Sequence, residues 1–124
     1  KVVVFCLNSY NNVINMIDLS ANQLVIVQKI LAEHLPTTKV WAFGSRIKGT
    51  TKPYSDLDLA LLTEIPLTIR QQRELAEAFS DSDLPFKVDL IDWTSCSDNF
   101  KQIISIHYEE FPLLDKPLST KTVE

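Results

Sequence analysis

Two aspartates, Asp56 and Asp58, are separated by a single leucine in the apolar segment "DLDLALL". If this segment is a β-strand, side chains two residues apart project from the same face, with Cα atoms roughly 6.6 Å apart. Two carboxylates held in that way repel one another unless a positive charge lies between them. Carboxylate oxygens suit Mg²⁺ or Mn²⁺, and two such ions about 3.5–4 Å apart hold the attacking and leaving oxygens of a phosphoryl centre. The alternative is a pair of solvated acids on an edge strand.

A third acid, Asp89, lies in "FKVDLID", whose alternation of side chains is typical of a strand. Its neighbours Val88 and Leu90 are apolar, and a carboxylate in such surroundings is poorly tolerated unless it is paired or bound. If this strand lies beside the first and their polar faces coincide, Asp89 joins Asp56 and Asp58 as a third metal ligand. The alternative is a strand residue that faces solvent or meets a lysine.

Both glycines of the chain lie just before the first acid pair, in "FGSRIKGTTKPYSDLDLALL". Gly44 and Ser45 follow a predicted strand and precede enough residues for one helical turn, so their backbone N–H groups would form an anion site. Arg46 adds positive charge nearby. The segment is not a Walker A loop, because Gly49 is followed by threonine and not by lysine. A phosphate-binding turn beside a carboxylate cluster is the arrangement that transfer of a nucleotidyl group requires.

The elements that must position these residues follow the order α-β-β-α-β-α, a mixed α/β domain with a small sheet of three or four strands flanked by helices. The predicted strands are 39–43, 56–62 and 86–92, and the predicted helices are 20–35, 68–82 and a last one from Ser95 or Ser97 to 111. The first helix begins with the spacing of a capping box, Ser20 with Gln23. On the last helix, the residues predicted to face inward are Phe100, Ile103, Ile104 and His107. Asp92, at a strand end, is read as a turn residue. We expect residues 1–15 to be an extension, 16–111 the domain and 112–124 a flexible tail.

Composition limits the possible partners of this domain. The chain has 124 residues, 45 % of them hydrophobic, and a net charge of −4, which together predict one cytoplasmic domain that contacts no membrane. The acidic balance argues against direct nucleic-acid binding, which needs a basic surface. Cys6 and Cys96 lie far apart, so we expect two free thiols and no zinc site or disulfide.

The stretch "GSRIKGTTKPYSDLDLAL" resembles the G-S-x10-D-x-D signature of the DNA polymerase β-like nucleotidyltransferase superfamily. More narrowly, this stretch and "DLPFKVDLIDW" resemble the minimal nucleotidyltransferase, or MNT-domain, proteins. The resemblance covers about residues 19–108 and implies that fold. It also implies that ATP is a substrate and that two Mg²⁺ ions, or Mn²⁺, are cofactors. The implied site residues are, for the nucleotide, Gly44, Ser45 and Arg46, and, for the metals and catalysis, Asp56, Asp58 and Asp89.

The resemblance also implies a partner. MNT-domain proteins are typically antitoxins that transfer AMP from ATP to a tyrosine of a HEPN-domain toxin encoded beside them, in a hetero-oligomer. Two alternatives stay open at this point. One is a nucleotidyltransferase that modifies a small molecule such as an aminoglycoside, and the other is a non-catalytic module that masks a toxin by contact alone.

Overall fold

The computed structural model describes residues 4–7, 13–48 and 54–113. Six strands and four α-helices lie within these residues, with a short 3₁₀ turn at Trp93–Ser95. In chain order they are β1 (Val4–Leu7), β2 (Val13–Ile17), α1 (Ala21–His34), β3 (Lys39–Phe43), α2 (Ser45–Lys48), β4 (Leu57–Leu62), α3 (Ile69–Ser80), β5 (Val88–Asp92), α4 (Asp98–Ile106) and β6 (Tyr108–Glu110).

The central sheet has four strands in the order β5-β4-β3-β6. Strand β4 pairs antiparallel with β3 and parallel with β5, while β6 is antiparallel to β3. Helix α3 connects β4 to β5, since parallel neighbours need a long crossover connection. The predicted mixed sheet of three or four strands flanked by helices is confirmed.

The core lies between one face of this sheet and helices α1 and α3. The side chains that form it are apolar and buried, and they include Val27, Leu31, Val40, Leu57, Leu59, Leu61, Leu75 and Phe79. Both helices begin with a capping box, at Ser20 with Gln23 and at Thr68 with Gln71, which satisfies backbone N–H groups at each helix start. The first of these boxes is readable in the sequence, and the helix it predicts is confirmed.

The last helix is shorter than predicted. Helix α4 begins after Ser97 and ends at Ile106, and His107 adopts an extended conformation that leads into β6. Of the residues predicted to face inward, Ile104 is buried and Phe100 is half-buried, whereas Ile103 and His107 are exposed, so the prediction is wrong for these last two. Tyr108 leaves the helix because pairing with β3 stacks its ring on Trp41, with ring centroids 3.9 Å apart.

The N-terminal strands form a separate antiparallel pair, β1 with β2. Strand β2 runs across the predicted boundary between residues 15 and 16, so no break between elements marks that position. Of the predicted tail, residues 114–124 lie outside the described residues. No helix in the described part of the chain is both long and apolar enough to cross a membrane.

Candidate active site

The three predicted metal-binding acids lie together at one end of the sheet. The parallel register of β4 and β5 places Asp58 directly opposite Asp89, so the two project from the same face. Leu57 and Leu59, on the other face of β4, are fully buried in the core and hold Asp58 away from it. Asp56 lies two residues before Asp58, immediately ahead of β4. The sequence placed Asp89 with the other two acids only if the two strands are neighbours and their polar faces coincide. The structure meets both conditions.

The turn at Gly44 lies against the central acid. Gly44 has a φ of +85°, a left-handed conformation that favours glycine. A Cβ atom at this position would overlap Asp58 Oδ2 and stand 3.1 Å from Asp58 Cγ. Strand register accounts for this approach, because Phe43, the residue before the turn, pairs with Asp58 across β3 and β4. The glycine therefore brings its backbone into contact with the acid cluster.

Electrostatics single out Asp58 among the three acids. Burial and, to a smaller extent, the negative charges of Asp89 and Asp56 together raise the pKa of the Asp58 carboxyl to about 6. Asp56 and Asp89 are exposed. A partly buried carboxylate between two like charges is stabilised by a cation, and its oxygens are the donors that Mg²⁺ and Mn²⁺ prefer. The side chains thus fit a divalent metal.

The acids are not held as a ready-made metal cluster. Within residues 4–7, 13–48 and 54–113, no three His, Cys, Asp or Glu side chains are grouped closely enough to hold a metal ion. Mutual repulsion separates carboxylates when no cation lies between them. The suitability of these three acids for a divalent metal therefore rests on the register of β4 and β5 and on the preference of such metals for carboxylate oxygens.

The predicted nucleotide-binding residues divide into two groups. Ser45 follows Gly44 and is the first residue of α2, beside the acid cluster. Arg46 is instead buried, with 5 % of its surface exposed. Its Nη1 donates to the Asp18 carbonyl at 2.7 Å and its Nε to the Ser55 carbonyl at 3.1 Å. The guanidinium also lies 3.9 Å from the centre of the Phe86 ring. The sequence predicted a phosphate contact for Arg46, whereas these contacts all lie within the protein.

Asp92 has a structural role that matches its interpretation as a turn residue. Its carboxylate accepts hydrogen bonds from Thr63 Oγ1 at 2.7 Å and from the Leu67 N–H at 2.8 Å. It also accepts from the N–H and hydroxyl of Thr94. Burial alone would raise the pKa of Asp92, but these hydrogen bonds outweigh it and hold the pKa below its usual value. Asp92 thus joins the end of β5 to the loop after β4.

Replacing Asp92 by alanine is expected to lower the free energy of unfolding by about 1–3 kcal/mol, because four donors lose their acceptor. A carboxyl with a lowered pKa in the folded state stabilises above its unfolded pKa of about 3.9, and this contribution is lost as the pH falls through the folded value. Urea unfolding at pH 7 and pH 3 measures both effects. The difference between wild type and Asp92→Ala should be larger at pH 7, and an equal difference at both pH values would contradict the assignment.

An aromatic cluster occupies the same sheet face as the acids, towards the other end of β3. Trp41 stacks on Tyr108 and meets Trp93 edge to face, with ring centroids 5.3 Å apart. These contacts give Trp41 and Trp93 a packing role in the described part of the chain. Sequence reasoning missed Tyr108 and Phe86. In the sequence, Tyr108 lies inside the predicted last helix and Phe86 is the first residue of a predicted strand, and neither pattern reveals the partner of the ring.

The geometry of this site is that of a nucleotidyltransferase, and a match to a known protein family supports the same class. Residues 11–109 match the family described as polymerase beta, nucleotidyltransferase. The chain belongs to this family.

Similar proteins indicate which kind of nucleotidyltransferase the chain resembles. The chain is 47 % identical over 105 residues to the "Probable protein adenylyltransferase MntA" of Haemophilus influenzae, covering 82 % of this chain and 92 % of that protein. A crystal structure of a toxin-antitoxin with AMP-PNP matches with 27 % identity and a TM-score of 0.62, covering 76 % of each chain. A structure of tri-AMPylated Shewanella oneidensis HEPN toxin in complex with MNT antitoxin matches with 27 % identity and a TM-score of 0.55, covering 73 % of this chain and 70 % of that one.

Proposed function

We propose that this protein is the antitoxin of a HEPN/MNT pair and transfers AMP from ATP to a tyrosine hydroxyl of its HEPN partner. Support comes from the relative described as a protein adenylyltransferase and from the similar toxin-antitoxin structures, one with AMP-PNP and one with an AMPylated HEPN toxin. The reaction would take place in the cytoplasm, within a hetero-oligomer of the two proteins.

One observation carries this proposal: the left-handed turn at Gly44 touches Asp58, which faces Asp89 across β4 and β5. A backbone turn that can approach phosphates is thereby next to carboxylates that can hold the divalent ions of a nucleoside triphosphate. Either feature alone is compatible with other functions. Their contact brings together the two features that chemistry on a metal-bound polyphosphate needs.

The residues then have distinct roles in the proposed reaction. Backbone N–H groups at Gly44 and Ser45 hold the β- and γ-phosphates, while Asp56, Asp58 and Asp89 bind the divalent ions, Mg²⁺ or Mn²⁺. When bound, these ions neutralise the triphosphate and stabilise charge that develops at the α-phosphorus. Asp89 helps to remove the proton from the acceptor hydroxyl, whose oxygen forms the new bond to the α-phosphorus as pyrophosphate leaves.

The direct test is to incubate the protein with ATP, Mg²⁺ and its purified HEPN partner and to measure intact masses. We expect the partner to gain one or more adenylyl groups, and peptide sequencing should place them on tyrosine. Adding EDTA in excess of Mg²⁺ is expected to abolish the gain, because the triphosphate then loses the divalent charge that neutralises it.

Control reactions show whether the gain in mass depends on the metal and on the nucleotide. Excess Mg²⁺ added after EDTA should restore transfer, and GTP or CTP in place of ATP reports the nucleotide preference. A partner that stays unmodified yet loses its toxicity in the complex would contradict the proposal and indicate masking by contact. Adenylylation of an aminoglycoside, with the HEPN protein unmodified, would contradict it in favour of a small-molecule acceptor.

A further inference from the structure

A buried arginine connects the two halves of the candidate active site. Asp18 and Arg46 are the charged side chains buried in the described part of the chain. Removing a guanidinium from water is costly unless its N–H groups are hydrogen-bonded. A buried cation directly beside the phosphate-binding turn therefore indicates a role that the surrounding contacts should reveal.

The contacts of Arg46 reach three separate segments of the chain. Its Nη1 donates to the carbonyl of Asp18, just after β2, and the Asp18 N–H donates back to the Arg46 carbonyl at 2.9 Å. Its Nε donates to the carbonyl of Ser55. Its guanidinium stacks on Phe86, which lies just before β5. Two of these three segments run directly into the strands that carry the acids.

The sequence distances from Arg46 and its partners to the site are short. Arg46 follows Gly44 by two residues, and Ser55 shares a peptide bond with Asp56. Phe86 precedes Asp89 by three residues. The N–H of Leu57, the residue after Asp56, donates to the carbonyl of Lys87, the residue after Phe86, at 2.9 Å. Arg46 therefore joins the glycine turn to the starts of both acid-bearing strands.

We propose that Arg46 is a positioning residue: its guanidinium holds the glycine turn and the starts of β4 and β5 together, so that the three acids lie at one end of the sheet and can close on a divalent metal when it binds. It acts through the Ser55 carbonyl and the Phe86 ring and makes no contact with ATP. This inference rests on the proposed function for the identity of the metal site, and it assigns Arg46 a different role from the phosphate contact predicted by the sequence.

Lysine cannot replace arginine in this role. The guanidinium is planar, so it can donate to two carbonyls in different directions while its face lies on an aromatic ring, whereas an ammonium is a compact point charge. Loss of a group that orients metal ligands typically costs about 10–100-fold in metal affinity or activity. The substitution Arg46→Lys preserves the charge and removes the geometry, which separates positioning from electrostatic attraction of phosphate.

The test measures Mn²⁺ binding, without ATP or partner, by the loss of the free-ion signal in electron paramagnetic resonance. Arg46→Lys is expected to weaken Mn²⁺ affinity by about 10-fold or more. Phe86→Leu, which keeps the arginine and removes the ring, should weaken it by at least about threefold. Arg73→Lys, the same change at an exposed position of α3, is the matched control and should leave the affinity unchanged.

Kinetics of AMP transfer supply the second measurement. Arg46→Lys is expected to lower kcat by about 10-fold or more with KM for ATP within about threefold of wild type, and added Mn²⁺ should restore part of the rate. Thermal unfolding of each variant confirms that the protein is folded at the assay temperature. A direct phosphate contact predicts the opposite pattern, unchanged Mn²⁺ affinity with a raised KM for ATP, and that result would overturn the proposal.

The two measurements also separate this proposal from the proposed function. Weaker Mn²⁺ binding by Arg46→Lys in a protein that adenylylates nothing would support the positioning role and reject the proposed reaction. Wild-type Mn²⁺ affinity and wild-type kcat in folded Arg46→Lys would overturn the positioning role and leave the reaction intact.

Discussion

Replacing Asp58 by asparagine is expected to lower AMP transfer by at least about 10³-fold while the fold survives. Asp58 is the acid in contact with the glycine turn and in register with Asp89, so it is central to the proposed metal site. A single preorganised electrostatic group at a transition state is worth about 10²–10³-fold, and this substitution also weakens metal binding. Intact-mass analysis of the HEPN partner after timed incubation measures the loss.

The same substitution should leave the metal-free protein at least as resistant to heat as the wild type. The pKa of Asp58 is raised to about 6 by burial and by Asp89 and Asp56, so at pH 7 ionised Asp58 is unfavourable in the folded state. Asparagine removes that charge at nearly the same volume. Thermal unfolding in EDTA measures this effect, and Asp83→Asn, at an exposed loop acid, is the control for loss of one negative charge.

Two results would contradict the role assigned to Asp58. Transfer by Asp58→Asn at a rate close to wild type would show that this carboxylate is not needed for metal binding. A large fall in the unfolding midpoint would show that Asp58 supports the fold, so that the loss of activity reports misfolding. Activity loss together with unchanged or higher stability is the signature of an electrostatic functional site.

Replacing Gly44 by alanine is expected to reduce both activity and stability. A residue with a Cβ pays about 1–3 kcal/mol to adopt a φ of +85°, and the new methyl group would overlap Asp58 Oδ2. Either the turn or the carboxylate must move. Misplacement of a reacting group by about 1 Å can cost roughly 10²-fold in rate, so we expect a loss of that size in AMP transfer.

A double-mutant cycle isolates the contact between the turn and the acid. In the Asp58→Ala background the nearest remaining atom of residue 58 is its Cβ, which stands 3.5 Å from a Cβ at position 44, an ordinary contact. Gly44→Ala should therefore cost less unfolding free energy in that background, with a coupling energy of about 0.5–3 kcal/mol. Additive effects in urea unfolding would show that the turn and Asp58 are not in contact.

Much of the fold was readable in the sequence, because its signals are local. Strand β3 was predicted with the bounds that the structure has, and the Ser20 capping box located the start of α1. The end of α4 was not predicted, since the helical pattern continues past Ile106 and only the sheet explains why it stops. Tyr108 pairs with β3 and stacks on Trp41, a partner far away in the chain.

The candidate site also has a part that local sequence predicted and a part that depended on the tertiary structure. The types and spacing of Gly44, Asp56 and Asp58 indicated phosphate and metal chemistry, because a turn residue and a strand alternation depend only on neighbours in the chain. The place of Asp89 depended on the order of strands in the sheet, which the parallel register of β4 and β5 decided.

By itself, the sequence determined the class of chemistry and the chain segments that carry it, since these follow from residue type, spacing and local periodicity. Only the tertiary structure decided how the segments meet. Folding placed Asp58 against the turn and buried Arg46 between the Ser55 carbonyl and the Phe86 ring, where its charge alone had suggested a phosphate. The reason is physical: a side chain's type sets which partners it can bind, and packing across distant segments sets which partner it meets.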